Sequence, residues 1–213
     1  MAAETINDGV YFRQNLGKGI VLDLESGSSK SNTKVQGHKK REINDPWVFA
    51  QLWLIARVPG TMKYTIQNAN SRTFLDLKGG VAENETPLVG YEATNKVTQH
   101  WMIQRNSNGT AYVIFNAKST SASTPLFIDL YAGGVVDGTP IKGIVGEGSV
   151  TPNTKQLWII TRACHAGLYG HEIDHAPCRN PVSAALNRSD TSSNCSTINH
   201  VLDSEQRRCQ CQM

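Results

Sequence analysis

Leu75-Asp76-Leu77 opens a stretch that closes on Gln99-His100-Trp101, and the same pair of motifs stands twice more along the chain. Leu22-Asp23-Leu24 leads to Gln51-Leu52-Trp53, and Ile128-Asp129-Leu130 leads to Gln156-Leu157-Trp158. Asp23, Asp76 and Asp129 are evenly spaced, 53 residues apart, so an internal threefold repeat occupies residues 8–160. A fixed period of this length marks a recurring structural unit, and a unit so short cannot bury its apolar face alone.

Within each repeat, apolar and β-branched runs alternate with clusters of Gly, Ser, Asn and Lys, which reads as four short strands separated by turns. The first repeat supplies residues 10–15, 19–24, 34–38 and 51–57, and the second 63–68, 73–77, 87–91 and 99–104. The third supplies 112–116, 126–130, 139–143 and 156–161. No stretch keeps a helical period. Three four-stranded units are too few for a set of propeller blades or a long solenoid. A closed six-stranded barrel capped by three hairpins satisfies the strand count and leaves few open edges. The expected fold is therefore all-β, a pseudo-threefold β-trefoil with an irregular C-terminal tail. The expected boundaries are an N-terminal segment 1–8, a trefoil 9–161 with repeats 9–58, 60–105 and 110–161, and a tail 162–213. Ser26-Gly27, Gly79-Gly80 and Gly133-Gly134 follow the aspartates and are read as positive-φ positions of the turn after each second strand. Trp53, Trp101 and Trp158 have apolar neighbours on the fourth strand and are read as core.

Composition divides the 213 residues in two. All five cysteines and four of the six histidines lie beyond residue 162, whereas all four tryptophans lie before it. Residues 1–160 carry 16 Lys+Arg against 13 Asp+Glu, a balance too mild to demand a polyanion, so no nucleic-acid partner is expected. No apolar segment approaches membrane-spanning length. The start, Met-Ala-Ala-Glu-Thr-Ile-Asn-Asp, lacks a basic stretch followed by an apolar run, so no signal peptide is expected. A cytoplasmic protein is the expectation, with non-classical release left open, and the cysteine-free repeat region fits a reducing compartment. Cys164, His171, His175 and Cys178 are dense enough to consider zinc, but their spacing matches no standard finger. The following stretch is polar and is expected to be disordered, and no cofactor is expected.

Asp, a Gly-rich turn and Gln-x-Trp, three times over, resemble the ricin B-type β-trefoil lectins. The version with Thr86-Pro87-Leu88-Val89-Gly90-Tyr91 looks most like the cytoplasmic trefoil lectins of mushrooms. The resemblance spans about 150 residues. It implies galactose or N-acetylgalactosamine recognition at up to three shallow sites. The chemistry fits, since a sugar offers adjacent hydroxyls to a carboxylate and a flat C–H patch to a ring. Asp23, Asp76 and Asp129 are the carboxylates. The stacking position at the end of each third strand is occupied by His38, Tyr91 and Ile144. Gln36 precedes His38 by two places, as the family pattern prefers, whereas Val89 and Lys142 depart from it. Ala50, Thr98 and Lys155 depart from the Asn or His often found before Gln-x-Trp. Gln51, Gln99 and Gln156 are read as ties to backbone with a secondary role at the site edge. Trp47, in the long insertion Lys39 to Phe49, either lines the first site or anchors its loop. The first and second repeats are the expected binders, and the third, with aliphatic Ile144, is expected to be silent.

The leading functional expectation is a lectin without catalysis, binding glycans and open to homodimer formation. No Gly-x-Ser-x-Gly or comparable motif is present in residues 1–160. The alternative is a β-trefoil protease inhibitor acting through Lys39 to Phe49 and Gly146 to Thr154. A third reading, a targeting module cut from a larger toxin or enzyme, would still make this chain a binder.

Overall fold

A computed structural model describes residues 6–107, 109–119 and 124–163. All of them lie in the first of the two units, 1–173 and 174–213, into which the chain divides. The zinc candidates Cys164, His171, His175 and Cys178, and the expectation of a disordered tail, fall outside the described residues.

Twelve strands follow in order: β1 (Gly9–Asn15), β2 (Val21–Leu24), β3 (Thr33–His38), β4 (Trp53–Arg57), β5 (Tyr64–Asn68) and β6 (Phe74–Leu77), then β7 (Thr86–Tyr91), β8 (Trp101–Arg105), β9 (Tyr112–Asn116), β10 (Leu126–Leu130), β11 (Thr139–Val145) and β12 (Trp158–Arg162). All pairings are antiparallel. β1 pairs with β4, β4 with β5, β5 with β8, β8 with β9, β9 with β12 and β12 with β1, which closes a six-stranded barrel. The hairpins β2–β3, β6–β7 and β10–β11 join through β3, β7 and β11, each of which pairs with the other two. Every strand thus finds partners without an open edge. Among the described residues no helix is long and apolar enough to cross a membrane.

Alternation along the barrel strands fills the centre. Tyr64, Ile66 and Asn68 of β5 are buried while Thr65 and Gln67 between them are half-buried, as a two-residue period requires. Trp53, Trp101 and Trp158 are fully buried in the main cluster. Each stands opposite a tyrosine on one side and an asparagine on the other: Trp53 faces Tyr11 and Asn68, Trp101 faces Tyr64 and Asn116, and Trp158 faces Tyr112 and Asn15. Their indole N–H groups donate to the carbonyls of Leu22, Leu75 and Ile128 at 3.0, 3.0 and 2.9 Å. The tryptophans are therefore core, as the sequence indicates, and the same bond ties each to the residue before an Asp of the hydrophobic triplets.

The fourth strands start later than the sequence suggests. Gln51, Gln99 and Gln156 end 3-10 turns, Val48–Gln51, Val97–Gln99 and Thr154–Gln156, and pairing begins only at the tryptophan. Leu52, His100 and Leu157 donate their N–H back to the carbonyls of Phe49, Val97 and Thr154 at 3.3, 3.1 and 3.3 Å, which keeps those groups out of the sheet ladder. The positive-φ pair in the third turn is also different. It is Ala132 and Gly133, at φ 54° and 66°, matching Ser26-Gly27 and Gly79-Gly80, while Gly134 sits at φ −60°. The offset from the aspartate is what recurs, and Ala132 accepts a left-handed backbone to keep it.

A glycine near the end of β7 meets a different demand, that of space. A Cβ on Gly90 would lie 2.6 Å from Thr73 Oγ1 and 2.7 Å from Leu24 Cδ1. Gly90→Ala is therefore expected to destabilise the chain by about 1–3 kcal/mol through overpacking. Urea denaturation should show the midpoint falling; an unchanged midpoint would mean that the three-hairpin cap is looser than described.

One core residue is out of character. Arg13 of β1 is fully buried between Tyr11 and Asn15, at the place that Ile66 takes in β5 and Ile114 in β9. Its guanidinium carbon lies 5.9 Å from the centre of the Trp53 ring, and none of its three nitrogens meets a hydrogen-bond acceptor. Burial pulls its pKa down to about 9, opposed by Tyr11.

Candidate functional site

The register of the three hairpins brings together the residues that the sequence singles out in each repeat. Asp23 stands opposite Gln36, Asp76 opposite Val89 and Asp129 opposite Lys142. His38, Tyr91 and Ile144 lie two residues further along the facing strand, so each is the diagonal neighbour on the same face, about 7–8 Å away at the backbone. The Gln-x-Trp glutamines are brought to the aspartates from the 3-10 turns. Gln51 Nε2 donates to Asp23 Oδ2 at 3.3 Å and Gln99 Nε2 to Asp76 Oδ2 at 2.9 Å.

These glutamines also hold backbone, as expected. Gln51 donates to the Lys39 carbonyl at 2.9 Å and accepts from the Arg41 N–H at 2.9 Å. Gln99 donates to the Glu92 carbonyl at 2.7 Å and accepts from the Thr94 N–H at 3.0 Å. The 3-10 turns themselves are gripped from the next strand along. Asn68 Nδ2 donates to the carbonyls of Phe49, Ala50 and Leu52, Asn116 Nδ2 to that of Thr98, and Asn15 Nδ2 to those of Thr154, Lys155 and Leu157. Sequence reasoning passed over these asparagines, although each ends a strand of the barrel.

The three carboxylates differ in which of their buried oxygens have a protein donor. In the first hairpin Gln36 Nε2 takes Asp23 Oδ1 at 3.0 Å, so both oxygens have a protein donor. In the second, Val89 stands where Gln36 would, and Asp76 Oδ1 has no donor. Asp76 is 5% exposed and Tyr91 beside it is half-buried. The departure at Val89 thus leaves a buried carboxylate oxygen without a protein donor. In the third, Lys142 does not serve Asp129. Its Nζ lies 3.2 Å from Glu85 Oε2 and 3.4 Å from the centre of the Tyr131 ring, and Asp129 Oδ2 is left without a donor.

His38 is not a free stacking face. Its Nδ1 lies 2.8 Å from the Lys39 carbonyl and 3.5 Å from Asp137 Oδ1, and its Nε2 lies 3.3 Å from Arg41 Nη2. Arg41 in turn pairs with Asp45 at 3.2 Å. Asp137 reaches the first site from the third hairpin and accepts the Lys39 N–H at 2.7 Å. Ser31 and Asn84 do the same for Glu92 and Val145, at 3.2 and 3.0 Å. Ser31, Asn84 and Asp137 keep the spacing of the aspartates, a signal in the sequence that could have found them. Trp47 is 56% exposed and its N–H donates to Asp45 Oδ1, so its backbone anchors the loop while its ring projects outward.

Burial raises the pKa of Asp23 against the hydrogen bonds from Gln36 and Gln51, and raises that of Asp129 against the bond from Gln156. A raised folded pKa means that the folded state holds its proton more tightly than the unfolded chain. The cost is complete above the folded pKa and vanishes as pH falls below the ordinary carboxylate value. Asp129→Asn is therefore expected to stabilise the chain at pH 7, on the order of 1 kcal/mol. Urea titrations at neutral and acidic pH should show that gain shrinking on acidification; a gain independent of pH would contradict the assignment.

Residues 43–144 match the family model described as ricin-type beta-trefoil lectin domain-like. No curated protein matches the chain. Among solved structures, the agglutinin of Rhizoctonia solani is 22% identical, with a TM-score of 0.60 over 76% of this chain and 100% of that one. The Macrolepiota procera ricin B-like lectin in complex with lactose is 22% identical, with a TM-score of 0.58 over 75% of this chain and 99% of that one. The Polyporus squamosus lectin, bound to a sialylated epitope ending in galactose and N-acetylglucosamine, is 27% identical. Its TM-score is 0.54 over 75% of this chain and 50% of that one. With the barrel, the three-hairpin cap and the repeated Asp and Gln-x-Trp contacts, these likenesses give the described part of the chain a β-trefoil fold similar to that of the ricin B-type lectins.

Proposed function

We propose that this protein is a carbohydrate-binding lectin without catalysis, in which three equivalent four-stranded units form the trefoil and the second carries the principal site for galactose- or N-acetylgalactosamine-type glycans. The observation that carries the reading is Asp76, whose Oδ2 is fixed by Gln99 while Oδ1 lacks a donor beside the half-buried Tyr91 ring. An ionised carboxylate accepts from two adjacent hydroxyls, and the ring covers the sugar's apolar face. Asp23, Gln36, Gln51 and His38 form a second, more occupied site. The lactose-bound and galactoside-bound neighbours support the choice of sugar class.

Calorimetric titration of the full chain with lactose tests this. Asp76→Ala is expected to weaken binding at least about tenfold, because a hydrogen bond to a charged group contributes about 1.5–3 kcal/mol. Undiminished binding in Asp76→Ala, or no heat from the native chain, would overturn the reading. A second reading, loop-mediated protease inhibition, rests on the outward Trp47 ring at the tip of the first-unit loop. Assays against papain and trypsin decide it.

A further inference from the structure

Each of the three core tryptophans opens the same short run, Trp-x-Ile-x-Arg: Trp53 to Arg57, Trp101 to Arg105 and Trp158 to Arg162. Alternate residues of a strand share a face, so each arginine continues the inner face of the barrel that its tryptophan begins. The tryptophans are buried under the hairpins, where their indoles bond Leu22, Leu75 and Ile128, whereas the arginines are exposed. The arginines therefore mark the barrel end opposite the hairpin cap. Register sets them across from Tyr64, Tyr112 and Tyr11. Ile6 donates its N–H to Tyr64 Oη at 3.2 Å and Tyr11 donates to the Asn7 carbonyl at 2.8 Å, so this segment covers tyrosines while the arginines stay in solvent. Because β4, β8 and β12 alternate around the ring, the three basic positions stand on the order of 10 Å apart.

The surroundings add to the charge. Arg57 Nε donates to the Thr61 carbonyl at 2.8 Å, and a hollow of about 480 Å³ lined by Arg57, Gly60, Thr61 and Met62 opens beside it. The Arg105 guanidinium carbon lies 5.7 Å from the centre of the Tyr112 ring. Asp8, whose Oδ1 accepts the Arg57 N–H at 2.9 Å, offsets one of these charges. Two residues beyond Tyr11 on the inner face, buried Arg13 supplies a fourth guanidinium with no acceptor, and at a pKa of about 9 it remains charged at neutral pH. The slight excess of base in the repeats is thus concentrated at one end of the barrel.

We propose that this end of the barrel binds a compact polyanion, a small ring carrying several phosphate or sulfate esters, with Arg57, Arg105 and Arg162 each taking one ester group. A guanidinium fork matches the oxygens of such esters two at a time. An inorganic anion reaches one arginine of a ring this wide, and a linear polyanion follows a line; a ring of esters reaches all three. Arg13 draws the ligand through its field without touching it. The site is independent of Asp76, which lies in the hairpin cap.

The test is a calorimetric and NMR titration of the full chain with inositol hexakisphosphate and, separately, sucrose octasulfate, at constant ionic strength. At least one should bind saturably, more tightly than inorganic phosphate, and shift the amides of Gly9, Met62 and Tyr112. A preference between the two assigns phosphate or sulfate as the source, and either supports the proposal. The double variant Arg57→Gln/Arg105→Gln should weaken binding at least about tenfold. Lys30→Gln/Lys96→Gln, which removes two charges from exposed positions elsewhere, should change it less than about twofold. No saturable binding of either compound, equal losses in the two double variants, or shifts confined to other surfaces would each overturn the proposal and leave the arginines as a structural seal over the tyrosines. If the first double variant does not fold, Arg105→Gln alone and the shift map of the native chain decide.

Discussion

Arg13→Ile raises the thermal midpoint of this protein, by about 5–10 °C if the gain is about 2–4 kcal/mol. Most substitutions in a barrel centre do the opposite. Here the native residue is the anomaly. Ile66 and Ile114 occupy the corresponding places on β5 and β9, and Arg13 brings a guanidinium whose three nitrogens lack hydrogen-bond acceptors into the same fully buried layer. A cation withdrawn from water without a hydrogen-bond acceptor keeps its desolvation cost, and its pKa, drawn down to about 9, reports that cost. The Trp53 ring 5.9 Å away offsets part of it through its π face. Isoleucine is close in volume, so no large cavity opens. Differential scanning calorimetry of the variant is the check, and a lowered midpoint would mean that the arginine has a stabilising partner.

The largest loss is expected from Asn68→Ala, about 3–5 kcal/mol, since several buried groups lose partners at about 1–3 kcal/mol each. The side chain joins two turns. Its Nδ2 donates to the carbonyls of Phe49, Ala50 and Leu52, and its Oδ1 accepts from the N–H groups of Asn70 and Ser71, both at 3.1 Å. Removing it leaves three carbonyls of the turn that presents Gln51 without this donor, so the first site should loosen as the fold weakens. Chemical denaturation measures the loss. Asn68→Asp restores the acceptor but not the donor and should recover only part of it; full stability in Asn68→Ala would mean that water replaces the amide.

The barrel and its cap were legible because the aspartate interval is constant and the strands alternate regularly. The interval carries through to the hairpin register, in which Asp23, Asp76 and Asp129 face Gln36, Val89 and Lys142. What escaped was decided by distant partners. Asn15, Asn68 and Asn116 look like turn punctuation in a sequence, and only the closed barrel shows each gripping a 3-10 turn. Arg13 reads as a solvent-facing base until its alternation with Tyr11 and Asn15 places it inside. Val89 looked like a flaw beside Asp76, and its effect appears only when Gln36 is seen occupying the matching oxygen of Asp23. Asp137 belongs to the third repeat by sequence and to the first site by position.

The most direct measurement is a crystal structure of the full chain soaked with lactose. A galactose ring lying over Tyr91 with its hydroxyls on Asp76 is the predicted result. Lactose absent from that face in crystals that leave it open to solvent, with Asp76 Oδ1 occupied by a protein donor instead, would contradict it.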